Sequence, residues 1–322
     1  MPEINEQSEL KAGNTPKTQA APISLVPVKN VDFLDICLLN SCNYRCQYCI
    51  SKSLNAYYQN FSDPFMKEQQ RFYWTAGWSL KPVQLLQFIK SHFRPNETAI
   101  QLSGGEPLLW DSLPFVIKEL IALGYRFGIN TNGYLLKQFL RWFPCLHTPD
   151  LDASPTVCKW RVSWHPMCRS WELFKKDIEP FKLIPKSVLI NYVVHPMHIA
   201  NNYIKEHIEA LEAFKMETGI RHERTPMAGN WNGKEYSKFD AIFEPYLTEP
   251  GPAIKANYFS IQANGDIMKC HKLKLGNIYE NTFAARNFES DPVCVFPENF
   301  KFKHKSACGA LSSYGILGLF DG

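Results

Sequence analysis

Short apolar runs alternate with longer amphipathic segments along this 322-residue chain, from about residue 31 to residue 224. The apolar runs have the length of strands, and in the segments that follow them apolar residues return every three or four positions, as on one face of a helix. Because consecutive parallel strands need a crossover that is usually a helix, a strand–helix unit repeated about six times is typical of an α/β protein. The sequence therefore predicts a parallel sheet or an open barrel of βα units.

The predicted elements divide the chain into three parts. Strands are predicted at 32–39, 99–102, 126–129, 160–164, 188–194 and 220–223, and helices at 82–93, 113–123, 135–142, 171–181 and 202–216. A polar loop is predicted through 230–233, and two strand-like runs then flank Asn264-Gly265, a pair that suits a tight hairpin because both residues tolerate positive φ. The predicted parts are a disordered leader (1–30), a barrel (31–225) and a C-terminal module (226–322).

Composition excludes several classes of protein. With 45% hydrophobic and 20% charged residues, the chain can bury a substantial core and is neither disordered nor fibrous. A net charge of +4 is too small to indicate a nucleic-acid-binding surface, which usually has a concentrated basic excess, and it does not exclude one either. No apolar run reaches the roughly 18 residues of a membrane span, and the N-terminus lacks the features of a secretion signal. The sequence therefore predicts a cytoplasmic protein with no membrane partner.

Three of the ten cysteines lie close together, in Cys42-Asn-Tyr-Arg-Cys46-Gln-Tyr-Cys49. Such a loop can wrap one inorganic centre, since a reducing compartment favours thiolate ligands over disulfides. Iron–sulfur clusters generally take four cysteine ligands, so three local ones would leave one iron open. A zinc site with three cysteines and one histidine is the alternative, but no histidine lies within the usual spacing. The spacing favours an iron–sulfur cluster over zinc.

Two further motifs accompany the cysteines. Ser103-Gly-Gly-Glu-Pro107 follows the second predicted strand, and Asn130-Thr-Asn-Gly133 follows the third. Together with the cysteine loop, they resemble the cluster loop, the Gly-Gly-Glu-Pro motif and the Thr-Asn-Gly signature of the radical S-adenosylmethionine (radical SAM) superfamily, in family order. The resemblance covers roughly residues 31–224 and implies an open, partial (β/α)6 barrel with a small hairpin-containing C-terminal module.

The resemblance also implies cofactors and site residues. A [4Fe-4S] cluster would be held by Cys42, Cys46 and Cys49, and S-adenosylmethionine would bind its open iron; a low-potential donor such as a flavodoxin or ferredoxin would supply electrons. The residues expected to bind S-adenosylmethionine are Tyr48, Gly104, Gly105, Glu106, Pro107, Asn130, Thr131 and Ser163. Glycines permit close backbone approach, and Glu106 can accept a hydrogen bond from the ammonium group of the cofactor. A plain turn, a core tyrosine and helix-capping hydroxyls are the ordinary alternatives.

Charged and titratable residues follow three of the later strands. His165 and His195 each precede a proline at the end of a predicted strand, and side-chain alternation places both toward the barrel mouth if Ser163 and Asn191 point inward. Imidazole titrates near neutral pH, so both are predicted to bind substrate or transfer protons, with a buried structural role as the alternative. Arg224, at the end of the sixth strand, is predicted to face a polar substrate, with a surface ion pair as the alternative.

The C-terminal region carries three more cysteines. Gly265-Asp-Ile-Met-Lys-Cys270 resembles part of the SPASM and twitch extensions of radical SAM enzymes, which hold auxiliary iron–sulfur clusters. Cys270, Cys294 and Cys308 are therefore predicted to bind an auxiliary cluster, with either an open iron or a fourth ligand such as His271, His304 or Cys168. The alternative is that the three cysteines are ordinary thiols in a degenerate hairpin domain that binds no cluster.

The predicted function is a radical SAM enzyme of oxidoreductase type that abstracts hydrogen from a peptide or a polar small molecule, for oxidation or cross-linking. One alternative is a nucleoside- or nucleic-acid-modifying member of the superfamily. For it, the basic and aromatic stretch at 300–305 could contact phosphates and bases, although a solvated charged face is the preferred interpretation. Another alternative is a non-enzymatic iron–sulfur sensor or carrier.

Overall fold

A computed structural model describes most of the predicted barrel and parts of the C-terminal region. The described residues are 33–44, 46, 49, 78–95, 97–148, 158–227, 229–236, 240–247, 258–269, 273–280 and 283. The predicted leader, Tyr48, the three C-terminal cysteines and the basic stretch at 300–305 lie outside them.

Six parallel strands form the predicted barrel in chain order. They are β1 (Phe33–Cys37), β2 (Ala99–Ser103), β3 (Arg126–Thr131), β4 (Lys159–Trp164), β5 (Val188–Val194) and β6 (Arg221–Pro226). The register places Cys37 opposite Ser103, and Ser163 opposite Asn191. In the described part of the chain β6 pairs with β5 alone, so the barrel is open, and the α/β fold class is confirmed.

Helices connect the strands and cover their outer side. They are α1 (Pro82–His92), α2 (Leu113–Ala122), α3 (Leu136–Trp142), α4 (Trp171–Ile178), α5 (Pro196–Ala200) and α6 (Tyr203–Thr218), with 3-10 turns at Pro107–Leu109, Pro144–His147, Glu179–Leu183, Pro185–Ser187 and Glu244–Tyr246. The predicted helices are therefore present, each within a few residues of its expected ends. Helix α5 was not predicted, because one turn is too short to show a helical period. No helix in the described ranges is both long and apolar enough to cross a membrane.

Side-chain alternation along the strands separates a packed outer face from a polar inner face. On β4, Trp160 and Trp164 point outward, where Trp164 packs against Trp171 and Phe174 of α4 with ring centroids 4.8 and 6.1 Å apart. Burial of such large aromatic side chains dominates core energetics. The residues that alternate with the tryptophans, Lys159, Arg161 and Ser163, are polar and lie on the inner face.

The predicted C-terminal hairpin extends the same sheet. Strands β9 (Tyr258–Ile261) and β10 (Asp266–Lys269) form it, and β11 (Leu273–Asn277) adds a third antiparallel strand. Strand β9 pairs in parallel with β1, on the side away from β2. At the turn, Gly265 has φ +88, and a Cβ there would lie 2.6 Å from the Tyr279 ring, so glycine is required. Whether the region after residue 225 is a separate module stays a prediction.

A second hairpin replaces the polar loop predicted at 230–233. Its strands are β7 (Gly229–Trp231) and β8 (Lys234–Tyr236). The turn between them consists of Asn232 and Gly233, with φ of 51 and 78. An Asn-Gly pair between two short strand-like runs is a strong hairpin signal, so this element could have been found from the sequence.

Candidate active site

The cysteine loop leaves the barrel between the ends of β1 and β2. Backbone pairing continues past both strands, because Gly105 N donates to Leu39 O at 2.8 Å and Glu106 N donates to Ser41 O at 2.9 Å. Cys42 is the next residue. The Gly-Gly-Glu-Pro segment therefore aligns the backbone that leads into the three cysteines.

The two glycines of this segment are required by close backbone approach. Gly104 has φ +150, and a Cβ there would lie 2.6 Å from Leu39 O. A Cβ on Gly105 would lie 2.2 Å from Ser41 O. Both obstacles are main-chain atoms, which cannot rotate away as the end of a side chain can. No residue larger than glycine fits at either position without moving the cysteine loop.

Glu106 joins the two sequence motifs. Its Oε1 accepts hydrogen bonds from Leu108 N at 3.1 Å and Thr131 Oγ1 at 2.6 Å, and its Oε2 accepts one from Asn132 N at 2.8 Å. The side chain is completely buried. Burial raises the pKa of Glu106 to about 7, although the three donors act in the opposite direction. The carboxyl group thus holds the end of β3 against the turn after β2.

Asn132 extends this connection to the cysteine loop. Its Nδ2 donates to Asn43 Oδ1 at 2.8 Å and lies 3.8 Å from Cys42 Sγ. Cys42 Sγ also accepts a hydrogen bond from Tyr44 N at 3.3 Å. Asn132 was not among the predicted site residues, although it stands inside the Asn130–Gly133 motif. Its position in that motif was the signal that could have identified it.

The three loop cysteines are half-buried, and their neighbours differ. Cys46 and Cys49 belong to one turn, in which Cys49 N donates to Cys46 O at 3.2 Å. Cys46 Sγ lies 3.5 Å from Sγ of Cys168, which comes from the turn after β4. Among the described residues, no three histidine, cysteine or acidic side chains are close enough together to hold a metal ion as placed. The three thiols therefore share a loop without forming a preassembled metal site.

The inner face of β4–β6 carries a chain of polar side chains. Asn191 Nδ2 donates to Ser163 Oγ at 3.2 Å, and Thr225 Oγ1 donates to Asn191 Oδ1 at 2.8 Å. Ser163 and Asn191 are therefore both directed inward, which is the condition stated above for the two histidines. Asn130, one strand over on β3, is half-buried.

A buried ion pair lies on the same face. Arg161 of β4 contacts Glu223 of β6 through both Nε and a terminal nitrogen. The two side chains are only 9% and 18% exposed, so each charge depends on the other for compensation. Arg161 was not singled out in the sequence, because the register between β4 and β6 through β5 is needed to bring it to Glu223.

Arg161→Met is expected to lower the free energy of unfolding by about 3 kcal/mol, because it leaves the Glu223 carboxylate buried without its partner. The double change Arg161→Met with Glu223→Leu is expected to recover most of that loss, since no unpaired charge is left. Urea unfolding of the wild type, both single variants and the double variant measures the coupling. Additive losses in the double variant would contradict the ion pair.

His165 lies between the cysteine loop and this ion pair. Its ring makes an edge contact with Tyr44, with centroids 6.1 Å apart. Burial and the charge of Arg161 lower the pKa of His165 to about 4, so the imidazole is neutral near pH 7. This position is compatible with the predicted role in substrate binding, which stays a prediction.

His195 occupies a different environment. It is fully buried, and its Nδ1 accepts a hydrogen bond from Met197 N at 3.1 Å, which caps α5. Its ring packs against Trp231 of β7 at 4.4 Å and His198 of α5 at 5.4 Å. These contacts favour the structural alternative stated for this residue, while its role in catalysis stays an untested prediction.

Arg224 lies on the side of β6 opposite to Glu223. Its neighbour on that side is His222, whose Nε2 is 3.1 Å from Glu212 Oε1 of α6. Glu223, and not Arg224, is the charged residue of this strand that faces the barrel interior. The predicted contact of Arg224 with substrate therefore gains no support from its position.

Buried histidines make the stability of the protein sensitive to acid. Burial lowers the pKa of His195 to about 4 and of His198 to about 3, whereas an exposed imidazole titrates near 6.5. The unfolded chain therefore binds more protons below about pH 6.5, and stability falls as the pH decreases from there toward 4. Glu106 has a raised pKa and acts in the opposite direction, but it is a single group.

His195→Asn is expected to weaken this acid dependence. Asparagine can still cap α5 through its side-chain oxygen but does not titrate. The loss of unfolding free energy between pH 7 and pH 5 should shrink by about 1–2 kcal/mol relative to the wild type. Denaturant unfolding at the two pH values measures it, and parallel pH profiles for the two proteins would contradict the prediction.

Part of the chain matches a known family. Residues 36–143 match the family model described as the Radical SAM superfamily. This segment is about a third of the chain and contains the cysteine loop, the Gly-Gly-Glu-Pro motif and the Thr-Asn-Gly motif. The resemblance seen in the sequence is confirmed over this segment, and the cofactors of that superfamily are a [4Fe-4S] cluster and S-adenosylmethionine.

Curated relatives include GTP 3',8-cyclases. The enzyme of Microcystis aeruginosa is 29% identical over 112 residues, covering 34% of this chain and 30% of the cyclase. That of Acaryochloris marina is 34% identical over 110 residues, covering 33% of this chain and 29% of the cyclase. This chain thus matches less than a third of the length of these relatives.

Solved structures of similar fold include anSMEcpe and SuiB. His-tagged anSMEcpe with bound AdoMet has a TM-score of 0.49 and 17% identity, covering 78% of each chain. SuiB of Streptococcus suis bound to the precursor peptide SuiA has a TM-score of 0.47 and 16% identity, covering 80% of this chain and 63% of SuiB. Similarity at this level carries no information about substrate.

Proposed function

We propose that this protein reductively cleaves S-adenosylmethionine and abstracts hydrogen from a peptide or a polar small molecule. The observation that carries the proposal is the connection from the cysteine loop through Asn132 and Glu106 to the Gly-Gly-Glu-Pro turn, within the segment that matches the superfamily. A carrier of electrons needs neither this turn nor an open iron position.

In this proposal Cys42, Cys46 and Cys49 hold the [4Fe-4S] cluster. Three thiols in one loop are a donor set that suits such a cluster, and the N–H groups near Cys42 would stabilise a thiolate at that position. When bound, the cluster supplies the electron that cleaves the sulfonium of S-adenosylmethionine. To bind one cluster, the three sulfur atoms would have to move closer together, since they are too far apart in this structure to share a metal ion.

Glu106 acts in this proposal by positioning rather than by direct binding. Its carboxyl group is buried and engaged with three donors, so it sets the relative positions of the two motif segments. The hydrogen bond from Glu106 to the ammonium group of the cofactor, expected from the resemblance, stays a prediction. Asn130 and Ser163 face the interior and are the better-placed candidates for polar contacts with cofactor or substrate.

The polar side chains on the inner face of β4–β6 support the proposal that the substrate is polar. It presents the Arg161–Glu223 ion pair beside the hydrogen-bonded chain of Ser163, Asn191 and Thr225. Such a surface offers donors, acceptors and both signs of charge, which suits a peptide backbone or a polar metabolite. A nucleotide is the second candidate, and the observation that favours it is the similarity to GTP 3',8-cyclases over about a third of this chain.

The first test is cofactor cleavage by the anaerobically reconstituted protein with a chemical reductant. Methionine and 5′-deoxyadenosine are expected from the wild type and not from the triple variant Cys42→Ala, Cys46→Ala and Cys49→Ala. Cys145→Ala, which changes an exposed cysteine elsewhere, is the matched control and should behave as the wild type. A wild-type protein that binds iron but cleaves no cofactor would refute the proposal.

Two extensions of this experiment test the substrate class and the auxiliary cluster. Stimulation of cleavage by GTP, by other nucleotides or by peptides separates the two substrate classes. Changing Cys270, Cys294 and Cys308 together to Ala tests the auxiliary cluster, which stays a prediction. About eight irons per chain falling to about four would support it, and about four in both proteins would contradict it.

A further inference from the structure

The contact between Cys46 and Cys168 is not explained by the proposed chemistry. Their sulfur atoms lie 3.5 Å apart, although the two residues are 122 positions apart in the chain. Cys168 is exposed and stands in the turn that follows β4, outside the three-cysteine loop. A disulfide has a sulfur–sulfur distance of about 2.05 Å, so the two sulfurs need to approach by roughly 1.5 Å.

We propose that Cys46 and Cys168 form a reversible disulfide in the cluster-free protein, which removes Cys46 from the ligands available for cluster assembly. This consequence for assembly rests on the proposed function, because it requires Cys46 to be a cluster ligand. The disulfide itself depends only on the geometry of the two thiols.

The turn that carries Cys168 is held firmly in place. Cys168 N donates to His165 O at 2.8 Å, and Trp164 Nε1 donates to Arg169 O at 3.0 Å. The Arg169 side chain forms an ion pair with Asp177 of α4 at 2.5 Å. It also lies over the ring of Tyr134, which follows β3. Cys168 therefore stays beside the cysteine loop, and the approach needs only side-chain rotation and a small movement of the loop.

The neighbours of the loop cysteines favour Cys168 as the partner. The contacts of Cys42 are with Asn43, Tyr44 and Asn132, which hold its sulfur on the side of the Thr-Asn-Gly motif. The sulfur in contact with Cys46 is that of Cys168. Oxidation is therefore expected to join Cys46 to Cys168 in preference to Cys42.

The reaction is a thiol–disulfide exchange with a small-molecule disulfide such as oxidised glutathione. One thiol of the pair attacks the oxidant as its thiolate, which releases one molecule of reduced thiol and forms a mixed disulfide. The second thiol then displaces the other half of the oxidant. Two protein thiols are oxidised to one disulfide, and one molecule of oxidant is reduced to two thiols. Excess reduced thiol reverses both steps.

The test starts with the full-length, cluster-free protein treated anaerobically with oxidised glutathione. Peptide mapping without reduction is expected to recover a Cys46–Cys168 cross-link, and dithiothreitol should abolish it. After removal of the oxidant, iron and sulfide reconstitution without added thiol, in a background with Cys270, Cys294 and Cys308 changed to Ala, should load at least about fivefold less iron than into the reduced protein. Recovery of Cys46 linked to Cys42 or Cys49 instead, or of no cross-link, would overturn the proposal.

Matched variants complete the test. Cys168→Ser should load iron equally before and after treatment with oxidised glutathione, whereas Cys145→Ser should stay as sensitive as the wild type. Equal sensitivity of the wild type and Cys168→Ser would overturn the proposed effect on assembly. Failure of the reduced wild type to load iron would count against the proposed function alone, since the mapped cross-link does not require a cluster.

Discussion

Glu106→Ala is expected to destabilise the protein by about 2–5 kcal/mol. The substitution leaves the donors of Leu108, Thr131 and Asn132 without their shared acceptor in a buried place. Each buried donor that loses its partner costs about 1–3 kcal/mol, and the Thr131 hydroxyl can recover part of this by rotating. Denaturant unfolding measures the loss. Iron uptake on reconstitution should fall with it, because Asn132 then no longer holds the cysteine loop in place.

Glu106→Gln distinguishes the roles of the two oxygens of this carboxylate. A glutamine can keep its oxygen where Oε1 accepts from Leu108 and Thr131, but its nitrogen then faces Asn132 N, which is also a donor. We expect a loss of about 1–3 kcal/mol, smaller than that of Glu106→Ala. Equal stability of Glu106→Gln and the wild type would contradict the role assigned to Oε2.

Gly105→Ala is expected to disable the cysteine loop while the barrel stays folded. The new Cβ would lie 2.2 Å from Ser41 O and 2.6 Å from the Ser41 carbonyl carbon, both main-chain atoms. Relief of this clash requires Ser41 to move away, which breaks the hydrogen bond from Glu106 N and displaces the adjoining Cys42. Overpacking of this kind costs about 1–3 kcal/mol, so iron bound under limiting iron should fall at least about fivefold when both proteins also carry Ala at Cys270, Cys294 and Cys308.

Gly124→Ala is the matched control for this substitution. Gly124 lies just after α2 with φ +74, and a Cβ there meets no atom within 4 Å. Alanine at this position costs about 1–2 kcal/mol through its left-handed backbone alone, with no effect on the cysteine loop. Iron binding by Gly124→Ala should match that of the wild type. Similar iron binding by both alanine variants would mean that the Gly105 contact does not position the loop.

Much of the fold could be predicted from local patterns. The six strands and five longer helices follow from apolar periodicity, because each element shows its own burial pattern within a few consecutive residues. The Asn264-Gly265 hairpin was also predictable from its turn residues. Helix α5 was missed because it is a single turn, and the β7–β8 hairpin was missed although Asn232-Gly233 marks its turn.

The candidate site was predictable in its motifs but not in its connections. Cys42, Glu106 and Thr131 are recognisable from short strings of residues in order. That Glu106 accepts from Thr131 and Asn132, rather than standing open to a ligand, depends on how the turn after β2 packs on the end of β3. Burial of a carboxyl group is a property of that packing and has no local sequence signal.

The sequence by itself determined the order of strands and helices, the three thiols of the cysteine loop and the glycines beside them, because these follow from periodicity and from steric limits on single residues. Only the tertiary structure decided which distant residues meet: β9 beside β1, Arg161 beside Glu223 and Cys168 beside Cys46. Such pairs arise when parallel strands bring separate parts of the chain to one edge of the sheet. Their partners are set by strand register and loop packing, which no short stretch of sequence contains.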